Sequence, residues 1–224
     1  MLELSYNTMQ THQLSPQLVK TGTTTIGLVC KDGVVLLADK KATAGTMIVD
    51  KHAKKIHQID DAIGVTIAGL VSDAQYLTKL ARAEIKLKKI RTDSEVTIAQ
   101  AANVLANLSY YNLRKMSMVP GIVGFLIAGR DSLGFHLYNI GIDGSITEEK
   151  DYTSDGSGSI FVYGVLETLY KKDMTVEEGV ALGKKALHAA IQRDAASGCG
   201  FDIVVINHEG FKRIESKDIN FKIE

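Results

Sequence analysis

The 224-residue sequence has no tryptophan, only two prolines and only two cysteines. Cys30 and Cys199 are too few for a disulfide framework and lack the spacing of a metal site, so they read as reduced thiols of a cytosolic protein. Net charge is absent too. The 26 Lys and Arg balance 26 Asp and Glu, which removes the electrostatic case for a nucleic acid or an anionic membrane as partner. No apolar run approaches the roughly 18–20 residues of a membrane span. Residues 1–22 have neither a basic start nor a continuous apolar stretch, which excludes a secretory signal. Their polar, unpatterned composition fits a tail or a removable pro-segment, the numbered chain then being an unprocessed precursor. The six histidines are scattered without H-E-x-x-H or comparable spacing, so no metal is expected. G-x-G-x-x-G, Walker and G-x-S-x-G patterns are missing, and no cofactor is expected.

What is present is enough apolar residue, 45%, for one sizeable core, with no Pro- or Ser-rich linker to divide it. Strands are expected at 24–30, 34–39, 54–59 and 62–68, with turns at Lys31-Asp32-Gly33 and Asp60-Asp61. Ser72 and Gln75 have capping-box spacing ahead of Leu77, Leu80, Ala81 and Ile85, which recur as on a helix face. The interleaved Lys and Arg read as its solvated side. A second helix is expected over 96–116, then strands at 122–130 and 134–140. The small-residue stretch 153–159 reads as a loop before a helix at 160–171. Thr175 and Glu178 form a second capping box for a helix reaching Arg193. Strands at 201–207 and 211–214 end the chain. Helices arriving in pairs between sheet segments argue against a parallel βαβ fold and for packed sheets covered outside by helix pairs.

Several residues stand out chemically, each with a plain structural alternative. The run Thr21-Gly22-Thr23-Thr24-Thr25 is, by itself, the start of a β-branched strand. Cleavage after Gly22 would give Thr23 a free α-amine, a base of pKa about 7.7–8.0 beside its own hydroxyl. Asp39 ends a strand and reads equally as a turn former. Lys54 and Lys55 start one and ordinarily face water; a buried Lys flanked by carboxylates would instead favour deprotonation of a neighbour. Asp194 closes a helix where the dipole disfavours a carboxylate, so it needs compensation, from Arg193 or elsewhere. Gly156-Ser157-Gly158-Ser159 is either a connector or a set of N–H and hydroxyl donors at a helix start. Gly69 permits close backbone approach to a ligand or simply ends a strand.

In this order and at these spacings, the pieces resemble the β subunit of the proteasome, most closely the archaeal type. The carriers are Gly22 to Gly27, Asp39, Lys54-Lys55, Thr66 to Leu70, Asp73-Ala74-Gln75, Gly156 to Ser159, Phe161 to Gly164 and Arg193 to Gly198, so the resemblance spans Thr21 to about residue 215. It implies an α+β fold of the N-terminal nucleophile hydrolase kind: a four-layer αββα sandwich, two stacked antiparallel sheets flanked by helix pairs. It implies a zymogen whose residues 1–22 are removed autolytically between Gly22 and Thr23, leaving one catalytic domain, 23–224. It makes Thr23 the nucleophile, Asp39 and Lys55 its charged pair, Ser157, Asp194 and Ser197 the network around the α-amine, and the Gly69 N–H the oxyanion hole. Thr43 would align substrate, and Ala42, Ala53, His57, Ile67 and Val71 would line an apolar specificity pocket. The activity implied is a cytoplasmic threonine endopeptidase that degrades unfolded proteins to short peptides. The partners implied are α and other β subunits in stacked heptameric rings and an ATP-dependent unfoldase, with no nucleic acid and no membrane. Lys41, where many relatives carry Arg, and Cys199 are modest departures. A non-catalytic β-type subunit should lack Thr23, Asp39 or Lys55, and a small-molecule amidase of this fold should present Cys or Ser as its new N-terminus; the sequence fits neither.

Overall fold

Residues 22–118 and 120–219 are described in the computed structural model of the chain. Of the expected leader, 1–22, residues 1–21 lie outside the described residues. The first half contains β1 (Thr25–Cys30), β2 (Gly33–Asp39), β3 (Ala42–Ala44), β4 (Met47–Asp50), β5 (Ile56–Asp60) and β6 (Ile63–Gly69), followed by α1 (Val71–Thr92) and α2 (Ile98–Arg114). The second contains β7 (Val123–Asp131), β8 (Gly134–Ile140), β9 (Ile146–Glu149), β10 (Tyr152–Asp155), α3 (Ser159–Leu169), α4 (Val176–Arg193), β11 (Gly200–Asn207) and β12 (Gly210–Asp218).

The layering follows from the two-residue period of the central strands. On β2, Val35 and Leu37 pack with Val162, Leu182, Ala186 and Leu187 of α3 and α4. The alternate residues Val34, Leu36 and Ala38 pack instead with Leu126, Ala128 and Leu137 of the other sheet. On β7, Phe125 and Ile127 turn to α1 and α2, packing with Leu77, Ile85 and Leu105. Each central strand is therefore apolar on both faces, and the stack is helices, sheet, sheet, helices. One sheet has the order β10-β1-β2-β11-β12 and the other β5-β6-β7-β8-β9, with β3-β4 a separate hairpin. The pairings within both sheets are antiparallel. The architecture is the expected α+β, αββα sandwich of the N-terminal nucleophile hydrolase fold.

Local signals succeeded where the backbone needed them. The Thr175 hydroxyl accepts from Glu178 N at 3.2 Å while Glu178 Oε2 accepts from Thr175 N at 2.8 Å, closing the capping box that starts α4. The Ser72–Gln75 box does not form. The chain turns at Gly69, Leu70 takes the N-cap position and Ser72 already lies inside α1, its hydroxyl on Asp73 at 3.3 Å. A box missed in the sequence, Thr97 with Gln100, opens α2. The stretch 153–159 is not all loop. Its first part is β10, pairing Thr25 with Asp155 and Gly27 with Thr153, because the edge of β1 offers unpaired backbone groups that outweigh weak strand propensity. The polar strands β9 and β12 and the β3-β4 hairpin likewise carry no clean apolar alternation; β12, at 210–218, runs well beyond the 211–214 expected.

Leu137 is fully buried between the sheets whereas Leu133, in the turn before β8, is 78% exposed. Leu137→Ala is expected to cost about 3 kcal/mol through lost transfer energy and an inter-sheet cavity. Leu133→Ala should stay within about 0.5 kcal/mol of the parent. Urea denaturation of both variants beside the parent measures the difference, and equal losses would contradict the placement of the core.

Candidate active site

Asp39, the last residue of β2, is 1% exposed, and its carboxylate gathers four donors from separate parts of the chain. Oδ1 accepts from Thr24 N at 2.9 Å and from Lys55 Nζ at 2.7 Å. Oδ2 accepts from Gly198 N at 2.9 Å and from Lys41 N at 3.0 Å. Buried charge is tolerable only when paired and fully hydrogen-bonded, and here it is. Of the two candidate lysines, Lys55 is the one that turns inward, 4% exposed, while Lys54 is exposed. Its ammonium also donates to the Lys41 carbonyl at 2.6 Å. Burial pushes Lys55 below the usual lysine range, and the Asp39 carboxylate acts against that shift.

Beside this pair lies Thr23, 4% exposed. Its hydroxyl donates to the carbonyl oxygen of Gly22 at 2.6 Å, so Oγ sits next to the peptide bond it would have to attack. Its backbone N–H donates to Ser157 Oγ at 3.3 Å. Ser157 and Ser197 both donate to Asp194 Oδ2 at 2.6 Å, and Thr24 Oγ meets Ser197 Oγ at 2.6 Å. Asp194 makes no ion pair with Arg193 among the described residues. Two hydroxyls and the Ala196 N–H, at 3.2 Å, compensate its position at the helix end instead. All six expected catalytic residues thus meet in one hydrogen-bonded network, Thr23 through its backbone N–H, joined by two groups the sequence did not single out, Thr24 and the Gly198 N–H. The Ser-Gly pair at the end of α4 was the available signal for the second.

Two cavities flank Thr23. One, of about 670 Å³, is lined by Lys55 and by Thr43, Ala42, Ala53, His57, Ile67 and Val71, the six residues expected on the substrate side. The β3-β4 hairpin adds Val49 to this wall, and His52 and Gln75 also line it; none of these was anticipated. The other cavity, of about 480 Å³, includes Thr43, Ala68, Ile122, Asp155, Ser157 and Ala196. Gly22, Thr23 and Gly69 border both. Gly69 has φ +128°, and a Cβ there would stand 2.2 Å from the Ile122 carbonyl oxygen, so only glycine fits this turn. Thr43 Oγ accepts from Gly22 N at 3.0 Å. Burial pulls His57 below the ordinary histidine value, and among the described residues its Nε2 has no hydrogen-bond partner. Cys30 and Cys199 are free thiols, and burial pushes Cys30 up to about 12, far from nucleophilic use.

An αββα sandwich with Thr23 buried just before its first strand, Asp39 buried at the end of β2 and Lys55 buried just before β5 is that of an N-terminal nucleophile hydrolase. A family model described as "Proteasome subunit" matches residues 19–206. The proteasome subunit beta of Methanocaldococcus fervens is 44% identical over 202 residues, covering 90% of this chain and 88% of that protein. Those of Archaeoglobus profundus and Ferroglobus placidus are 42% and 43% identical, covering 90% and 91% of this chain and 92% and 95% of theirs. The chain belongs to the proteasome subunit family, as a β-type threonine endopeptidase subunit of the 20S core.

Lys55→Ala strands Asp39 without its counter-charge and is expected to cost about 3 kcal/mol. Pairing it with Asp39→Asn should recover part of that loss, read by denaturant titration of both variants; a Lys55→Ala chain as stable as the parent would contradict the pairing. His57 gives a pH signature. Above 6.5 the ring is neutral folded and unfolded and contributes nothing. As pH falls below 6.5 the unfolded chain binds the proton first, so stability drops until the folded ring titrates at its lower pKa. His57→Gln should therefore lessen the stability lost between about pH 7 and pH 5, a slope of at most ~1.4 kcal/mol per pH unit.

Proposed function

We propose that the chain is a zymogen in which residues 1–22 are a pro-segment, 23–224 the catalytic domain and Thr23 the nucleophile. The observation that carries this is the Thr23 hydroxyl lying on the Gly22 carbonyl, inside the Asp39–Lys55 and Ser157–Asp194–Ser197 network. In processing, Oγ attacks the Gly22 carbonyl carbon. The Thr23 nitrogen leaves with a proton as a free amine, and water hydrolyses the resulting ester. While Gly22 is attached that nitrogen is an amide and not a base; afterwards it has a pKa of about 7.7–8.0, suited to accept a proton near neutrality.

Turnover repeats the chemistry on a substrate. Oγ attacks a peptide carbonyl and gives its proton to the α-amine. The Gly69 N–H holds the oxyanion, a donor type whose loss costs about 10²–10³ in rate. The tetrahedral intermediate collapses, the leaving amine takes the proton back, and water hydrolyses the acyl-enzyme. Lys55, partnered by Asp39, supplies the positive field beside Oγ. Ser157, Asp194 and Ser197 orient the amine, since Ser157 already receives the Thr23 N–H. Thr43 aligns the substrate. The larger cavity, with Ala42, Ala53, Ile67 and Val71 beside His57, takes an apolar side chain on the acyl side of the cut.

The chain assembles with other subunits into a proteasome core. Our reading extends this to α-type and further β subunits in stacked heptameric rings, fed with unfolded chains by an ATP-dependent unfoldase in the cytoplasm. Consecutive exposed Met47, Ile48 and Val49 on β4 support burial against a neighbour. No helix among the described residues is long and apolar enough to cross a membrane.

Intact mass after co-assembly with α subunits tests the proposal. The expected product begins at Thr23. Thr23→Ala should stay full length and lose at least about 10³-fold in peptide hydrolysis. A full-length chain with undiminished peptidase activity would overturn it.

A further inference from the structure

The smaller cavity beside Thr23 carries a charge that the mechanism does not use. Asp155, the last residue of β10, is among the described residues the only ionisable side chain in a lining otherwise made of glycines, Thr23, Thr43, Ser157 and apolar residues such as Ile122 and Ile142. Its position is fixed. It pairs with Thr25 across the sheet, and its carbonyl accepts from Thr25 Oγ at 3.3 Å. The carboxylate has room because residue 124 is glycine: a Cβ there would stand 2.2 Å from Asp155 Oδ2. Oδ1 accepts from Gly156 N at 2.7 Å, and no described residue forms a salt bridge with the carboxylate. Compare Asp39, which collects four donors. Burial raises the Asp155 pKa, the mark of a carboxylate desolvated without a counter-charge.

A substrate crossing Thr23 must place its acyl side in one cavity and its leaving side in the other. Resting on the assignment of the larger cavity to the acyl side, we infer that Asp155 selects a lysine or arginine on the leaving side of the scissile bond. The long aliphatic stem of either residue suits the apolar wall, and its cation supplies the counter-charge that Asp155 lacks. An acidic residue at the same place would meet a like charge in a partly dry pocket.

The test uses the processed assembly with α subunits and internally quenched peptides. These share one acyl-side sequence and carry Lys, Ala or Glu just after the cut. The parent should favour Lys over Ala in kcat/KM on the order of tenfold, the ratio that ~1.4 kcal/mol of pairing gives, with Glu slowest. Asp155→Asn should bring all three within about twofold of one another, each rate normalised to processed Thr23 counted by intact mass. A variant that slows all three equally, or keeps the parent's order, overturns the inference and leaves Asp155 a structural residue. Cleavage of these peptides by a Thr23→Ala assembly would instead overturn the nucleophile assignment on which the two sides depend.

Discussion

The buried carboxylate of Asp39 is the point on which the site depends. It joins the strand before it to the Thr24 amide, the Lys41 amide, the Gly198 amide beyond α4 and the Lys55 ammonium. The farthest of these donors, Gly198, is 159 residues from Asp39 in sequence. Withdrawing Lys55 leaves the buried carboxylate without its counter-charge, and withdrawing an amide leaves one of its lone pairs unsatisfied. The pair therefore holds both sides of Thr23 in register, the segment that leads into β1 and the turn that carries Asp194 and Ser197. The electrostatics around Thr23 and the local fold are one structure here.

That arrangement depends in turn on the sandwich. β2 can end at a buried Asp only because both its faces are covered, one by α3 and α4 and the other by the second sheet. The second sheet contributes β6, whose terminal Gly69 borders both cavities, and β7, whose Gly124 clears space for Asp155. Thr23 thus lies at the end of the inter-sheet core, where apolar packing gives way to two cavities. The low local dielectric strengthens every interaction around the hydroxyl, and the same desolvation lowers Lys55 and His57 and raises Asp155.

Legibility in the sequence tracked physical cause. Long periodic segments such as α4, with its Thr175–Glu178 box, and continuous apolar runs, such as Val34 to Ala38 of β2, were readable because local forces and burial agree there. Elements held mainly by pairing were not: β10 is a string of small polar residues that becomes a strand because β1 has a free edge. The Ser72–Gln75 pattern failed because Gly69 sets where α1 begins, a constraint from the residue just before β7 through the Ile122 carbonyl. At the site, Thr23, Asp39, Lys55, Ser157, Asp194 and Ser197 could be named from their order and spacing through a family resemblance. The residues alone left each of them with an ordinary structural alternative.

By itself, then, the sequence determined the class of fold, the apolar segments that build it and which polar residues were candidates for chemistry, because periodicity, caps and motif order are local properties of the chain. Tertiary structure decided which lysine of Lys54-Lys55 is buried, that Asp194 is met by hydroxyls and not by Arg193, and that Thr24 and the Gly198 amide complete the network. It also decided that Asp155 faces a cavity where no described residue supplies a counter-charge. Those outcomes turn on burial and on partners distant in sequence, and the free energy of a charge depends on both.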